Sequence, residues 1–320
     1  MYRKPGGALP VASGAVDAIE VDGLEKRYGE VHAVKGVSFA VARGETFGIL
    51  GPNGAGKTTT LEMIEGLTRP DSGSIEILGQ AVWPNPTRVQ KHIGVQLQKA
   101  ALFENLTAAE LLDLFARFYG VPLEGRAPRL LALVGLDEKA ASQARQLSGG
   151  QQQRLAIALA LVHDPEIVFL DEPTTGLDPQ ARRNLWDVIR AVAAENRTVV
   201  LTTHYLDEAE TLCDRVAIMD GGRIIALDSP QALIGGLHGR SRVIFEGDGL
   251  GEEELSALEG VQSVTAADGT YELTSLEPQH TLLGLVALAE LRGVELRGLS
   301  VRQPTLEDVF LEATGTEFRE

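Results

Sequence analysis

The feature that most constrains this chain is a glycine-rich turn between two segments of opposite periodicity. The pattern predicts a buried strand over Thr46–Leu50 and a helix over Thr58–Glu65, which Gly66 ends. The turn fits G-x-x-x-x-G-K-[ST]; its residues are, in order, Gly51, Pro52, Asn53, Gly54, Ala55, Gly56, Lys57 and Thr58, with Thr59 directly after them. Glycines at this spacing let backbone N–H groups converge on a phosphate at the helix N-terminus. The turn therefore predicts a phosphate-binding site in an α/β core.

Two side chains at the end of the turn suit the chemistry of a nucleotide. Lys57 could reach the β- and γ-phosphates, and the Thr58 hydroxyl could ligate Mg²⁺. The turn alone leaves kinases, GTPases and ATPases open. A guanine-binding N-K-x-D sequence does not occur in the chain, which argues against a GTPase.

A pair of carboxylates closes a second apolar strand. Ile167–Leu170 and Thr198–Leu201 are near-continuously apolar, as strands buried on both faces of a parallel sheet are. Asp171 and Glu172 follow the first of them. Asp171 is the candidate Mg²⁺ ligand, and Glu172 could orient an attacking water or accept its proton.

A third segment places small residues before an Ala- and Leu-rich helix. Its residues are Leu147, Ser148, Gly149, Gly150 and Gln151. A serine and two glycines at a helix start form an anion site with room for close approach, although a simple serine N-cap explains the same residues locally. Together with the glycine-rich turn and the carboxylate pair, in this order, the segment resembles the signature of ABC ATPases.

The resemblance covers about residues 18–238 and implies a P-loop NTPase fold. That fold has a RecA-like parallel sheet core, an N-terminal antiparallel β part and a helical insert, here at about 99–155. Consistent with it, Ala18–Val21 and Gly36–Val41 are predicted strands, and Leu106–Leu147 is predicted to be helical. In the insert, Thr107 and Glu110 fit a capping box, and one apolar face is predicted from the residues Leu111, Leu114, Phe115 and Phe118.

The resemblance also assigns roles to single residues. Tyr28 corresponds to the aromatic that stacks on adenine, and His204 to the switch histidine that holds the γ-phosphate. Gln98 corresponds to the Q-loop glutamine that contacts Mg²⁺ and the water, with Gln96 as its close rival. The D-loop, which crosses the dimer interface in this family, corresponds to Gly176, Leu177 and Asp178.

The resemblance to this family implies binding partners, which the composition alone cannot indicate. In ABC ATPases the signature of one subunit covers the ATP held by the P-loop of another, so a dimer with a second copy or a paralogue is expected. The helical insert is expected to pass the motion of ATP hydrolysis to a membrane permease. The chain should then lie in the cytoplasm, peripheral on the inner face of the cell membrane.

Charge and apolar length exclude other classes. The formal net charge of −16 argues against nucleic acid, because phosphate binding needs clustered Lys and Arg. The longest apolar runs are far shorter than the roughly 20 residues that span a bilayer. Residues 1–17 have no apolar h-region and are expected to form a flexible tail. A single cysteine, Cys213, suits a reducing compartment.

Residues 239–320 are predicted to form a small, acidic C-terminal domain. The patterns give a β-α-β-β-α-β order, which suggests an α+β ferredoxin-like fold. The predicted elements are strand Arg242–Phe245, helix Glu252–Leu258, strands Val261–Thr265 and Tyr271–Thr274, helix Thr281–Leu291, strand Val294–Leu299 and a closing helix over Thr305–Ala313.

The C-terminal segment indicates a particular subfamily. Arg302–Leu311 resembles the ending of ATPases paired with ABC-2-type permeases, a group that includes drug exporters for compounds such as daunorubicin. The resemblance favours drug or multidrug export. Lipid or polysaccharide export, or an ABC ATPase without a permease, remain as alternatives.

Overall fold

A computed structural model describes residues 17–96, 102–122, 125–237, 240–247, 249–267 and 269–314. The chain divides between Ser229 and Pro230 into two compact units. None of the described helices has the length and apolarity needed to cross a bilayer.

The first unit alternates strands and helices. Its elements are, in chain order, β1 (Ile19–Tyr28), β2 (Val31–Val41), β3 (Thr46–Leu50), α1 (Lys57–Ile64), β4 (Ser72–Ile77), β5 (Gln80–Ala81), α2 (Thr87–Gln90), β6 (Ile93–Gln96), α3 (Ala108–Tyr119), α4 (Arg126–Leu133), α5 (Gly149–Ala160), β7 (Ile167–Asp171), α6 (Pro179–Ala194), β8 (Thr198–Thr203), α7 (Leu206–Leu212), β9 (Arg215–Asp220) and β10 (Arg223–Asp228).

Two sheets of different kind form this unit. An antiparallel sheet has the order β2-β1-β4-β5, and a six-stranded sheet has the order β10-β9-β3-β8-β7-β6. In the second sheet every neighbouring pair except β10–β9 is parallel. Strands β3, β7 and β8 are buried along their whole lengths, which explains their continuous apolar sequences. The predicted P-loop NTPase fold with its antiparallel β part is thus confirmed.

The parallel register brings three strand ends together. Leu50 at the end of β3 pairs with Thr203 on β8, and Asp171 at the end of β7 pairs with Thr202 on β8. Segments that leave the carboxyl ends of neighbouring parallel strands meet at one edge of the sheet. The sheet therefore brings the segments that leave β3, β7 and β8 into one place.

The helical insert begins as predicted, but the buried face of α3 differs from the predicted one at its end. Thr107 caps α3 in a capping box with Glu110. The predicted apolar face is wrong at its end, because Phe118 is 70% exposed. The residues of α3 that are buried are Ala108, Leu111, Leu112 and Ala116. Small alanines let α3 pack closely against α5 and α4, and this packing, rather than bulk, selects the buried face.

The second unit has a single antiparallel sheet. Its elements are α8 (Pro230–Gly235), β11 (Ser241–Glu246), α9 (Glu252–Ser256), β12 (Val261–Ala267), β13 (Thr270–Ser275), α10 (Pro278–Arg292), β14 (Arg297–Arg302) and α11 (Leu306–Thr314). The strand order β12-β13-β11-β14 is that of a ferredoxin-like domain, which confirms the predicted type of fold.

Two details of this unit differ from the sequence pattern. Strand β14 starts three residues later than predicted, because Val294 and Leu296 pack against the apolar core of the unit before pairing begins. Helix α8 lies with the second unit, where it packs on α11, although its residues fall inside the predicted range 18–238 of the first domain.

Candidate nucleotide-binding site

The glycine-rich turn connects β3 to α1 and is shaped by contacts that exclude side chains. A Cβ at Gly51 would lie 2.2 Å from the carbonyl oxygen of Met219. Gly56 has a φ of +101°, and a Cβ there would lie 2.5 Å from the carbonyl oxygen of Ala33. Gly56 also precedes α1 and offers no side chain to cap it. The first-turn N–H groups of α1 are therefore left to an anion.

Lys57 folds over the turn. Its ammonium donates hydrogen bonds to the carbonyl oxygens of Gly51 at 2.8 Å and Pro52 at 3.2 Å. It also lies 3.2 Å from Oε1 of Glu172, and both side chains are buried. The structure thus brings together the cation and the carboxylate that the sequence singles out, from positions far apart in the chain.

Asp171 is held by two hydroxyls. Thr58 donates to its Oδ1 at 3.2 Å and Thr202 donates to the same oxygen at 2.5 Å. Burial is the strongest influence on this carboxyl and raises its pKa, and the two hydrogen bonds oppose that rise. A hydroxyl and a carboxylate side by side are the hard oxygen donors that Mg²⁺ prefers, so Thr58 and Asp171 fit such an ion.

Glu172 adopts a strained backbone that its neighbours maintain. Its φ of +45° lies in the left-handed region, which is unfavourable for a residue with a Cβ. Its N–H donates to Oγ1 of Thr202 at 2.9 Å and to the carbonyl oxygen of Thr202 at 3.2 Å. The hydroxyl of Thr175 donates to its Oε2 at 3.2 Å. These bonds fix where the carboxylate stands at the end of β7.

His204 completes this cluster from the end of β8. Its Nδ1 lies 3.4 Å from Oε1 of Glu172, and the imidazole is buried. Burial acts to raise the pKa of Glu172, but the nearby Lys57 and His204 outweigh it and leave that pKa below its usual value. Glu172 is therefore held in the ionised form that a base or water-orienting group needs.

The signature residues lie elsewhere, at the N-terminus of α5. Ser148 caps the helix: its hydroxyl accepts from the N–H of Gln151 at 3.3 Å, and its own N–H donates to the Gln151 side chain at 2.9 Å. Leu147 is buried, whereas Ser148 and Gly149 are exposed. Within the described residues, no hydrogen bond or ion pair joins residues 147–151 to residues 51–58.

The predicted D-loop packs against this helix start. A Cβ at Gly150 would lie 3.0 Å from Cβ of Ala181 and 3.9 Å from Leu177, so glycine allows α5 and α6 to approach. Gly176 has a φ of +78°, and the exposed Asp178 caps α6 through the N–H groups of residues 180 and 181. The signature and the D-loop of one chain thus form a continuous surface.

Tyr28 stands at the end of β1 with its ring half exposed. It pairs across the hairpin with Val31, two residues before Ala33, whose carbonyl approaches Gly56. The ring therefore lies at the hairpin end that adjoins the glycine-rich turn.

Of the two Q-loop candidates, Gln98 lies outside the described residues. Gln96 is buried at the end of β6, and its amide donates to Oε1 of Gln153 on α5 at 3.3 Å.

Thr202 is the site residue that sequence reasoning missed. It bonds both Asp171 and the backbone of Glu172, because the parallel register places it opposite Asp171. Its only signal in the sequence is that Thr202 and Thr203 are polar residues at the end of an apolar strand. That position matters only once the neighbouring strand is known.

Comparison with known proteins gives two family matches. Residues 34–175 match the model of the ABC transporter family, and residues 236–314 match that of the ATP-binding protein DrrA1-3-like C-terminal domain. The two matches lie on either side of residues 176–235.

Curated relatives match along nearly the whole chain. Nod factor export ATP-binding protein I of Ralstonia nicotianae is 39% identical over 100% of this chain and 99% of its own length. The daunorubicin resistance ATP-binding protein DrrA3 of Streptomyces coeruleorubidus is 40% identical, over 94% and 97% respectively. The linearmycin resistance ATP-binding protein LnrL of Bacillus subtilis is 35% identical, over 94% and 100%.

Solved structures match about two thirds of the chain. One described as the ATP binding subunit of an ABC transporter superposes with a TM-score of 0.62 at 32% identity, covering 69% of this chain and 93% of its own. The cbiO1 protein of Clostridium perfringens, part of the ABC transporter complex cbiONQ, gives a TM-score of 0.64 at 29% identity, covering 68% and 91%.

Proposed function

Since this chain belongs to the ABC transporter family, as an ATP-hydrolysing subunit of the exporter type, we propose that it energises drug or multidrug efflux through a separate ABC-2-type permease. The observation that carries the mechanism is the convergence of two side chains on Oε1 of Glu172: Nζ of Lys57 lies 3.2 Å from it and Nδ1 of His204 lies 3.4 Å from it. A cation that binds phosphates and a carboxylate that orients the attacking water are parts that ATP hydrolysis uses.

Each residue of the cluster takes a defined part. The N–H groups of residue 51 and residues 53–59, together with the Lys57 ammonium, bind the β- and γ-phosphates of ATP. Glu172 orients the attacking water and accepts its proton, since its lowered pKa keeps it ionised. His204 donates a hydrogen bond to the γ-phosphate, and Tyr28 stacks on the adenine.

Mg²⁺ is the cofactor of this proposal. Thr58 and Asp171 would hold it, together with the predicted ligand Gln98, and when bound it neutralises charge on the β- and γ-phosphates. The chain's own contribution is to hold the Asp171 carboxylate in place through the hydroxyls of Thr58 and Thr202.

We propose further that the active unit is a dimer, with a second copy or a paralogue. The surface formed by Ser148, Gly149, Gly150 and the D-loop then covers the ATP bound to the partner's P-loop. In support, the Ser148 cap is complete within its own chain, and its helix start is exposed. An exposed helix N-terminus suits a phosphate brought by another subunit.

The proposed permease and cargo rest on the names of related proteins. Two of them are named for resistance to the antibiotics daunorubicin and linearmycin, and one for export of Nod factor. These names support export across the membrane on whose inner face the chain would lie. Drug efflux is the cargo class we favour, and lipid or polysaccharide export is the alternative.

ATP turnover of the full-length chain tests the catalytic roles. Lys57→Ala should lose ATP binding, and Glu172→Gln should keep binding while turnover falls by about 10²- to 10⁴-fold. The exposed Lys139 provides a control, because Lys139→Ala should turn over like the wild type. Wild-type rates in both site variants would contradict the mechanism.

Sedimentation tests the dimer separately. Glu172→Gln with ATP should sediment as a dimer and without ATP as a monomer, because the unhydrolysed nucleotide holds the two halves together. A monomer under both conditions would contradict the shared site.

A further inference from the structure

One buried carboxylate contacts three of the segments that carry residues of the candidate site. Glu208 on α7 is completely buried. Its Oε2 accepts a hydrogen bond from the hydroxyl of Thr174 at 3.2 Å, and its Oε1 accepts one from the indole N–H of Trp186 at 3.1 Å. Thr174 follows the strained Glu172 by two residues, and Trp186 stands on α6. The element that carries Glu208 begins directly after His204 and Tyr205.

The third connection runs to strand β8, which ends at Thr203, directly before His204. The Thr203 side chain also lowers the pKa of the Glu208 carboxyl. Its hydroxyl oxygen in turn accepts the N–H of Tyr205 at 2.9 Å. Burial is the main influence on Glu208 and raises its pKa, while the hydrogen bonds from Thr203, Thr174 and Trp186 oppose it. A buried carboxylate is tolerated only where such donors surround it.

A second pair of contacts holds the same two helices on their outer side. Arg182 on α6 lies 3.6 Å from the carboxylate of Asp207 and 4.7 Å from the centre of the Tyr205 ring. That ring lies 4.2 Å from the imidazole of His204. The helix that starts at the D-loop and the helix that follows His204 are therefore held together at two points, and at one of them Glu208 reaches the Glu172 segment as well.

We propose that Glu208 is a positioning residue for ATP hydrolysis, which fixes the Glu172 segment, the D-loop helix α6 and His204 relative to one another. The inference rests on the roles proposed above for Glu172 and His204. The left-handed φ of Glu172 persists only if surrounding bonds over-determine it, and the Thr174–Glu208 bond is one of these. When Glu208 is lost, Glu172 and His204 keep their chemistry but lose their common alignment.

Glu208→Gln in the full-length chain tests the inference. The amide keeps the shape of the side chain, but its single acceptor oxygen must face the Trp186 N–H, which can only donate. The bond to Thr174 must then run from the amide to the hydroxyl, and it loses its charge assistance. Since small displacements of catalytic groups are costly, kcat should fall by about tenfold or more. The KM for ATP should stay within about twofold, because the glycine-rich turn is untouched.

Glu45→Gln is the matched control. Glu45 is another buried carboxylate of the same unit, bonded to the N–H of Ala42 and to Arg215, but it precedes β3 at the end of the strand opposite the glycine-rich turn. Its replacement should lower the thermal unfolding midpoint without changing kcat. An equal loss of kcat in both variants would show that Glu208 has only a general structural role.

Thr174→Val and Trp186→Phe give an independent test if Glu208→Gln does not fold. Each removes one donor and keeps the bulk of the side chain, so each should lower kcat by several-fold at unchanged KM. Combined with Glu208→Gln, Thr174→Val should add little, because both changes act on the same bond. Wild-type kcat in folded Glu208→Gln, or in both donor variants, overturns the inference. A Glu172→Gln variant with full turnover would instead contradict the proposed function on which it rests.

Discussion

The two sites proposed here for ATP hydrolysis are built in opposite ways. At the ends of β3, β7 and β8, the polar groups of Lys57, Asp171, Glu172 and His204 are buried and depend on one another. At the start of α5, the signature is neutral, exposed at Ser148 and complete in its hydrogen bonds through Gln151.

This difference separates what each site needs from the rest of the fold. The first cluster takes its side chains from three separate segments, at residues 57, 171–172 and 204, so it exists only when the parallel register is correct. The second is a local capping box that any helix could form. Small changes in packing or pH should therefore disturb the charged site. Substitutions in the signature should change the rate of ATP turnover more than the stability of the fold.

The largest effect is expected from a methyl group added to the glycine-rich turn. Gly56→Ala combines a left-handed φ with a Cβ 2.5 Å from a backbone oxygen. Strain and overpacking together should lower the free energy of unfolding by about 3 kcal/mol. Urea unfolding and binding of a fluorescent ATP analogue measure the change, and nucleotide binding should be lost.

Gly54→Ala separates the two causes. Gly54 has a φ of +82° but no atom within 4 Å of an added Cβ, so only the backbone strain applies. It should cost about 1 kcal/mol. Equal losses in the two variants would mean that the contact with Ala33 does not shape the turn.

A second effect is expected from a buried acid at the end of α1. Burial chiefly, with added repulsion from Asp171 and Glu62, raises the pKa of Glu65 from its usual 4.5 to about 8. Its Oε1 has no hydrogen-bond partner among the described residues. The folded chain therefore keeps a proton that the unfolded chain releases above about pH 4.5. The contribution of Glu65 to the free energy of unfolding is fully present below about pH 4.5 and is lost as the pH rises toward 8.

Unfolding in urea at several pH values measures this loss. Between pH 5 and 8 the wild type should lose about 2 kcal/mol or more through Glu65, and Glu65→Gln should flatten that slope. Glu62→Gln is the control and should keep most of it. The same slope in wild type and Glu65→Gln would show that Glu65 does not cause the loss of stability at higher pH.

The sequence predicted what is local and missed what depends on neighbours. The glycine-rich turn, the carboxylates that end β7, the Thr107 capping box and the Ser148 N-cap are patterns within a few residues, and the structure has each of them. Thr202 could not be assigned, because its two bonds follow from the pairing of β8 with β7. The buried face of α3 was misassigned at Phe118, since helix contacts and not hydrophobicity decide it.

Strand ends show the same limit. The predicted strand Ala18–Val21 continues to Tyr28 as β1, through polar residues such as Lys26, which pairs with Val34 on β2. The ferredoxin-like order was readable from alternating patterns, but the start of β14 was not, because Val294 and Leu296 are apolar for core packing before the strand begins.

The smallest effect on stability, and the sharpest test of the contrast between the two sites, comes from the two capping boxes. Ser148→Ala and Thr107→Ala each remove a side-chain cap from a 12-residue helix of the same unit, so each should cost about 1 kcal/mol in urea unfolding. Only Ser148→Ala removes a hydroxyl that the proposed dimer directs at ATP. Its turnover should fall several-fold while Thr107→Ala keeps the wild-type rate. If the two variants lose turnover equally, the signature serine acts as a helix cap and the contrast between the sites disappears.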